Sequence, residues 1–163
     1  MIGKVIKYNL KNINTDLIIP ARYLINSENA YLAQHCMEDL DPDFVEKVKK
    51  ENYQILVADS NFGCGSSREQ APSAIKSSGI ACIIAPSFAR IFFRNAINIG
   101  LPIIEFPGIE RIKTGDILKI QFEEGLIKNT CTDEEFQIKN QSNFLQQIIS
   151  AGGLVNFARK QIE

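Results

Sequence analysis

The sequence predicts an α/β fold, with a parallel-strand β/α core followed by an antiparallel β-rich lobe. Three near-continuous apolar runs, at 53–59, 80–86 and 101–106, are separated by stretches of helical spacing. That is the pattern of buried strands joined by right-handed crossovers. Beyond Pro107 the runs shorten and alternate, with Glu, Gly and Asp in the turns between them. At 163 residues the chain has room for one well-cored domain, and 1–163 is read as a single unit.

Taken in order, "GKVIKYNL" (3–10) reads as a first strand. In "KNINTDLIIPARYL", Asn14, Thr15 and Asp16 suit side-chain-to-backbone turn bonding ahead of an apolar run closed by Pro20. "SENAYLAQHCM" (27–37) reads as a helix capped by Ser27, and a second short helix is expected around 42–50. After the strand at 53–59 and a glycine-rich loop, "EQAPSAIKSSG" reads as a helix ending at Gly79 in a left-handed cap. The strand at 80–86 leads into "SFARIFFRNAINIG" (87–100), a helix capped by Ser87, stopped by Gly100, with Phe88, Ile91, Phe92 and Asn95 on one face. Short strands are expected in "DILKIQF", "LIKNTC" and "EFQIK", and a final helical stretch breaks at Gly152 and Gly153.

Composition narrows the function classes. A net charge of −1 gives no general electrostatic reason to bind nucleic acid or an anionic membrane. No apolar run approaches the roughly 20 residues that cross a bilayer. "MIGKVIKYNLKN" lacks the apolar core and cleavage site of a secretory signal, so a cytoplasmic location is expected. Cys36, Cys64, Cys82 and Cys131 contain no C-x-x-C pair, which argues against a structural zinc site or a self-contained iron–sulfur cluster. The one histidine, His35, reads as a surface or core filler rather than a ligand.

The chemistry concentrates in "NFGCGSSREQAP" (61–72). A strand, a glycine-rich loop and a helix present backbone N–H groups to an anion. A nucleotide-binding turn fits poorly, because Arg68 stands where the last glycine of G-x-G-x-x-G belongs and no G-K-[ST] ending follows. A purely local reading makes Ser66 the cap and Glu69 the closing member of a capping box. Pro72 opposes a regular helix from Ser67, so a later start would leave Ser66 and Ser67 free to face a ligand. In the catalytic reading, Ser66 or Ser67 acts as an alkoxide base while Arg68 grips a substrate carboxylate. The absence of a nearby histidine points away from hydrolysis and toward proton transfer.

"NTDLIIPARYL", "GCGSSREQA" and "SFARIFFRNAIN", in this order and spacing, resemble the swivelling domain of aconitase-type dehydratases. The likeness is greatest to the free-standing small subunits of the 3-isopropylmalate dehydratases. It covers residues 1 to about 125, and the tail is less diagnostic. The resemblance implies an aconitase-like swivelling fold and a hydro-lyase active only with a large subunit. That partner carries a [4Fe-4S] cluster, and none is bound by this chain. It also implies the interconversion of 2- and 3-isopropylmalate by dehydration and rehydration in leucine biosynthesis.

By motif, Ser66 is the expected base, and Ser67 and Arg68 the carboxylate-binding residues. Cys64 has a structural role at most. Arg90 and Arg94 are expected to bind loop carbonyls or carboxylates, and Thr15 and Asp16 to order the first loop. Tyr23, Leu24 and Ile25 align with a substrate-reading Y-L-R-T motif of homoaconitase-type relatives. Ile25 replaces its arginine, which favours an apolar substrate branch over a third carboxylate. Dehydration of 2,3-dimethylmalate, citramalate or homoaconitate, or a non-catalytic binding module, are the alternatives.

Overall fold

In the computed structural model, which describes residues 1–139 and 141–162, one seven-stranded sheet organises the chain. The strands are β1 (Ile2–Tyr8), β2 (Tyr53–Ala58), β3 (Cys82–Ala85), β4 (Ile103–Glu105), β5 (Ile117–Gln121), β6 (Leu126–Asn129) and β7 (Glu134–Gln137). Their spatial order is β4-β3-β2-β1-β5-β6-β7, parallel from β1 to β4 and antiparallel from β1 through β5 to β7. The antiparallel lobe is therefore an extension of the same sheet, joined through β5 to the free side of β1.

Each parallel step from β1 to β4 moves in one direction across the sheet. Right-handed crossovers then place their helices on a single face. These are α1 (Thr15–Ile18), α2 (Asn29–Gln34), α3 (Phe44–Glu51), α4 (Gln70–Ser77) and α5 (Arg90–Asn98). Alternation along the strands sorts the core. Ile6, Leu56, Ala58, Ile83, Ala85 and Ile103 pack under the helices. Val5, Ile55, Val57, Cys82, Ile84 and Ile104 face the other way, against Phe106, Ile112, Leu118, Ile127 and Phe136. Both faces of the parallel strands are thus covered, as their unbroken apolar sequences require.

Two helix starts differ from the sequence reading. Ser27 does not cap α2: Asn26 Oδ1 accepts from the Glu28 N–H at 2.8 Å, and that local turn delays the helix until Asn29. Nor does Ser87 cap α5, which begins at Arg90 after an extended Ala89. Ser87 Oγ instead accepts from the Asn61 N–H at 2.9 Å. Because α5 starts later, its buried residues are Phe92, Ala96 and Ile97, while Ile91 is 47% exposed.

The tail forms α6 (Asn143–Ser150) and α7 (Leu154–Ile162), broken at Gly152 and Gly153 as expected. Gly100, at φ +70°, lies directly against that break. A Cβ there would stand 2.6 Å from the Gly152 carbonyl carbon.

Candidate active site

The C-terminal ends of β1, β2 and β3 are neighbours, and the loops leaving them are stitched together. The Thr15 N–H donates to the Cys64 carbonyl at 2.9 Å, and the Gly63 N–H to the Ile13 carbonyl at 2.8 Å. On the other side, the Phe62 N–H donates to Ser87 O at 3.1 Å and the Ala89 N–H to Phe62 O at 2.9 Å. The Thr15 hydroxyl, buried, donates to the Ser66 carbonyl at 2.9 Å. Ligand sites in open α/β sheets form at this end of the strands.

Gly63 and Gly65 hold positive φ, +76° and +88°, which is what lets the chain turn out of β2 and present its serines. A side chain at Gly63 would overlap the ring of Phe92.

The resulting cavity, of about 540 Å³, is lined by Thr15, Gly63, Gly65, Ser66, Ser67 and Arg68 together with residues 89–92 and Arg94. Ser66 and Ser67 are exposed, and neither hydroxyl makes a hydrogen bond among the described residues. The capping-box reading fails. Helix α4 begins at Gln70, its cap position is Glu69, and no side chain accepts a bond there. The late start puts Pro72 in the first turn, where its missing N–H is not needed.

Arg68 is anchored rather than loose. Its Nη1 donates to the Ile19 carbonyl at 2.9 Å, and its Nη2 lies 2.7 Å from Asp16 Oδ1. Two contacts leave other N–H groups of the five-donor guanidinium available to a carboxylate. Thr15 and Asp16 do more than order their own loop: they hold the serine loop and Arg68. Arg90 and Arg94, expected to bind carbonyls or carboxylates, pair with neither among the described residues; both are exposed on the cavity wall.

Tyr23, Leu24 and Ile25 are not brought to this cavity. Tyr23 stacks on His35, with ring centroids 3.7 Å apart, and its hydroxyl donates to Glu38 at 2.8 Å. His35 Nδ1 lies 2.7 Å from the other Glu38 oxygen, and these bonds from His35 and Tyr23 hold the Glu38 carboxyl below the usual range. Leu24 packs against the helix-side core. Ile25 projects into solvent at 88% exposure, so within this chain it lines nothing. Neighbouring Arg22 is paired with Asp39 at 3.0 Å.

The aconitase C-terminal domain family matches residues 2–108 of the chain. The chain belongs to this family. It is 54% identical over 162 residues to the 3-isopropylmalate dehydratase small subunit of Caldicellulosiruptor saccharolyticus, covering 99% of this chain and 92% of that protein. It is 53% identical over 156 residues to the 2,3-dimethylmalate dehydratase small subunit of Eubacterium barkeri, covering 95% of this chain and 94% of that one. The crystal structure of 3-isopropylmalate dehydratase from Methanocaldococcus jannaschii superposes with a TM-score of 0.91 at 43% identity, covering 99% and 96% of the two chains. The swivelling-domain fold expected from the motifs is the one observed.

The resemblance implies an iron–sulfur cluster, and the thiols of this aconitase C-terminal domain chain do not fit one. Cys36 is buried in the turn after α2 and Cys82 in β3, Cys64 sits half-buried in the serine loop, and Cys131 is exposed beyond β6. Burial pushes both inner thiols up, Cys82 to about 12, which disfavours the thiolate form that ligates iron. The described residues contain no His, Cys, Asp and Glu group of three or more placed to hold a metal ion, and no helix long and apolar enough to cross a membrane.

Proposed function

We propose that this chain is the base-supplying small subunit of a 3-isopropylmalate dehydratase. The observation that carries the reading is the free pair of serine hydroxyls beside an anchored guanidinium in an open cavity. Dehydration removes a proton from one carbon and hydroxide from its neighbour. Ser66, as the alkoxide, takes the carbon-bound proton, and backbone N–H groups of the turn and the start of α4 stabilise its charge. Ser67 and the remaining donors of Arg68 hold a substrate carboxylate, which fixes the carbon over Ser66. Rehydration with the opposite regiochemistry returns the proton from the same hydroxyl and completes the isomerisation.

Hydroxide departure needs a Lewis acid, and in this proposal a [4Fe-4S] cluster on a separate large subunit supplies it. The substrate site then closes only when the two chains meet. Ile25, exposed here, becomes an apolar wall for the isopropyl group, with Tyr23 and Leu24 setting the backbone behind it.

A second reading, dehydration of 2,3-dimethylmalate, is favoured by the relative of that name at 53% identity. The chain is expected to be inactive alone and to turn over 2-isopropylmalate when mixed anaerobically with a cluster-loaded large subunit. Parallel assays on 2,3-dimethylmalate separate the two substrates. Turnover by the isolated, metal-free chain would sink this assignment of roles.

A further inference from the structure

Helix α5 opens on an electrostatic arrangement that its own chain does not relieve. Arg90 is its first residue, at the end where the helix dipole disfavours a cation. Arg94 follows at the i+4 position, where like charges repel. The first turn contains no acidic residue, and the Ala89 cap supplies no side-chain acceptor. Five other surface cations pair with carboxylates: Lys4 with Glu51, Arg22 with Asp39, Lys47 with Asp41, Arg111 with Glu134 and Lys128 with Asp133. Lys11, Lys49, Lys50, Lys113 and Lys119 have no such partner among the described residues, so what distinguishes Arg90 and Arg94 is their place at the start of α5 and on the cavity wall. Arg90 and Arg94 stand unpaired among the described residues, although the chain carries 19 acidic side chains against 18 basic ones. Ile91, between them, is exposed as well.

These side chains line the same cavity as Ser66 and Ser67. Resting on the function proposed above, another chain must approach that cavity closely enough to deliver the group that removes hydroxide. The surface on which it lands is the rim. We infer that Arg90, Ile91 and Arg94 are a docking patch for the large subunit, matched there by an acidic segment containing an apolar side chain. The unrelieved positive charge at the start of α5 is then neutralised at the interface, and the match steers the two chains together.

The test measures binding of the full chain to the cluster-loaded large subunit over a range of salt concentrations. Substrate kinetics are recorded at saturating large subunit. For Arg90→Glu/Arg94→Glu, Kd should rise at least about tenfold at low salt, and the salt dependence of Kd should flatten. The milder Arg90→Gln/Arg94→Gln should shift in the same direction by less, with the thermal midpoint of each variant confirming folding. An unchanged Kd with a raised KM would overturn the inference and assign the arginines to a substrate carboxylate. Unchanged Kd and KM would reduce them to a solvated helix face. If the unaltered chain neither binds nor activates the large subunit, the proposed function falls first and takes the docking patch with it.

Discussion

Ser66 stands outside α4 rather than at its cap, so its removal separates chemistry from folding. Ser66→Ala should lower kcat by about a thousandfold or more, the scale of a lost general base or oxyanion group. Its unfolding free energy should stay within about 0.5 kcal/mol, as for an exposed substitution, whereas a true cap would lose about 1 kcal/mol. Comparing kcat with the urea midpoint decides between them. Thr15→Val tests a residue that acts through another. Losing its bond to the Ser66 carbonyl should cost about 1 kcal/mol of stability and lower kcat more than it raises KM, and Thr15→Ser should restore both. Ser66, Ser67 and Arg68 were legible in the sequence because one short loop holds them all. The services of Thr15 and Asp16 were not, since Thr15 bonds a carbonyl 51 residues away. The partners of Tyr23, His35 and Glu38, were not legible either, since they lie 12 and 15 residues further along the chain.

At the scale of elements, the loop leaving β2 is shaped by two glycines with different demands. Gly65→Ala meets nothing closer than 3.5 Å and pays mainly for its positive φ, about 1–2 kcal/mol. Gly63→Ala adds overlap with the Phe92 ring, so its total cost should be about 2–4 kcal/mol, with α5 displaced from the serine loop. Chemical denaturation of the two variants checks the difference, and equal losses would show that the Phe92 contact yields freely. The apolar runs identified the strands because burial on both faces leaves little room for polar residues. Helix starts were harder to read. Ser27 and Ser87 have the chemistry of caps, but Asn26 forms a competing turn before α2, and Ser87 is taken by the Asn61 N–H. A cap is a contest among nearby acceptors, and the winner depends on which chain segment lies alongside.

Across the whole molecule, the two-sided cover of the sheet divides the thiols. Cys36 lies under the helices and Cys82 on the opposite face, both buried and both pushed toward the unreactive thiol form. Cys64 and Cys131 are accessible to different degrees. A thiol reagent should therefore modify two cysteines in the native chain and all four in denaturant. Rapid modification of four in the native state would show that the core opens readily. The parallel pairing of β2, β3 and β4 followed from the sequence because short helical crossovers join them. That β5 would extend the sheet beside β1, instead of starting a separate one, was not legible: alternating strands state which face is buried, not which edge they join.

The stitches around the serine loop also set a timetable for the nascent chain. The loop's backbone bonds reach back to residues 13–15 and forward to residues 87–89. Closing such distant contacts is entropically slow until the intervening strands have aligned. During synthesis the serines emerge from the ribosome well before Ser87 and Ala89 do, so they spend that interval as ordinary flexible polypeptide. The serine turn consequently takes shape only after β3 and the residues just beyond it have emerged, and a chain halted before β3 is complete would carry its motif without its geometry.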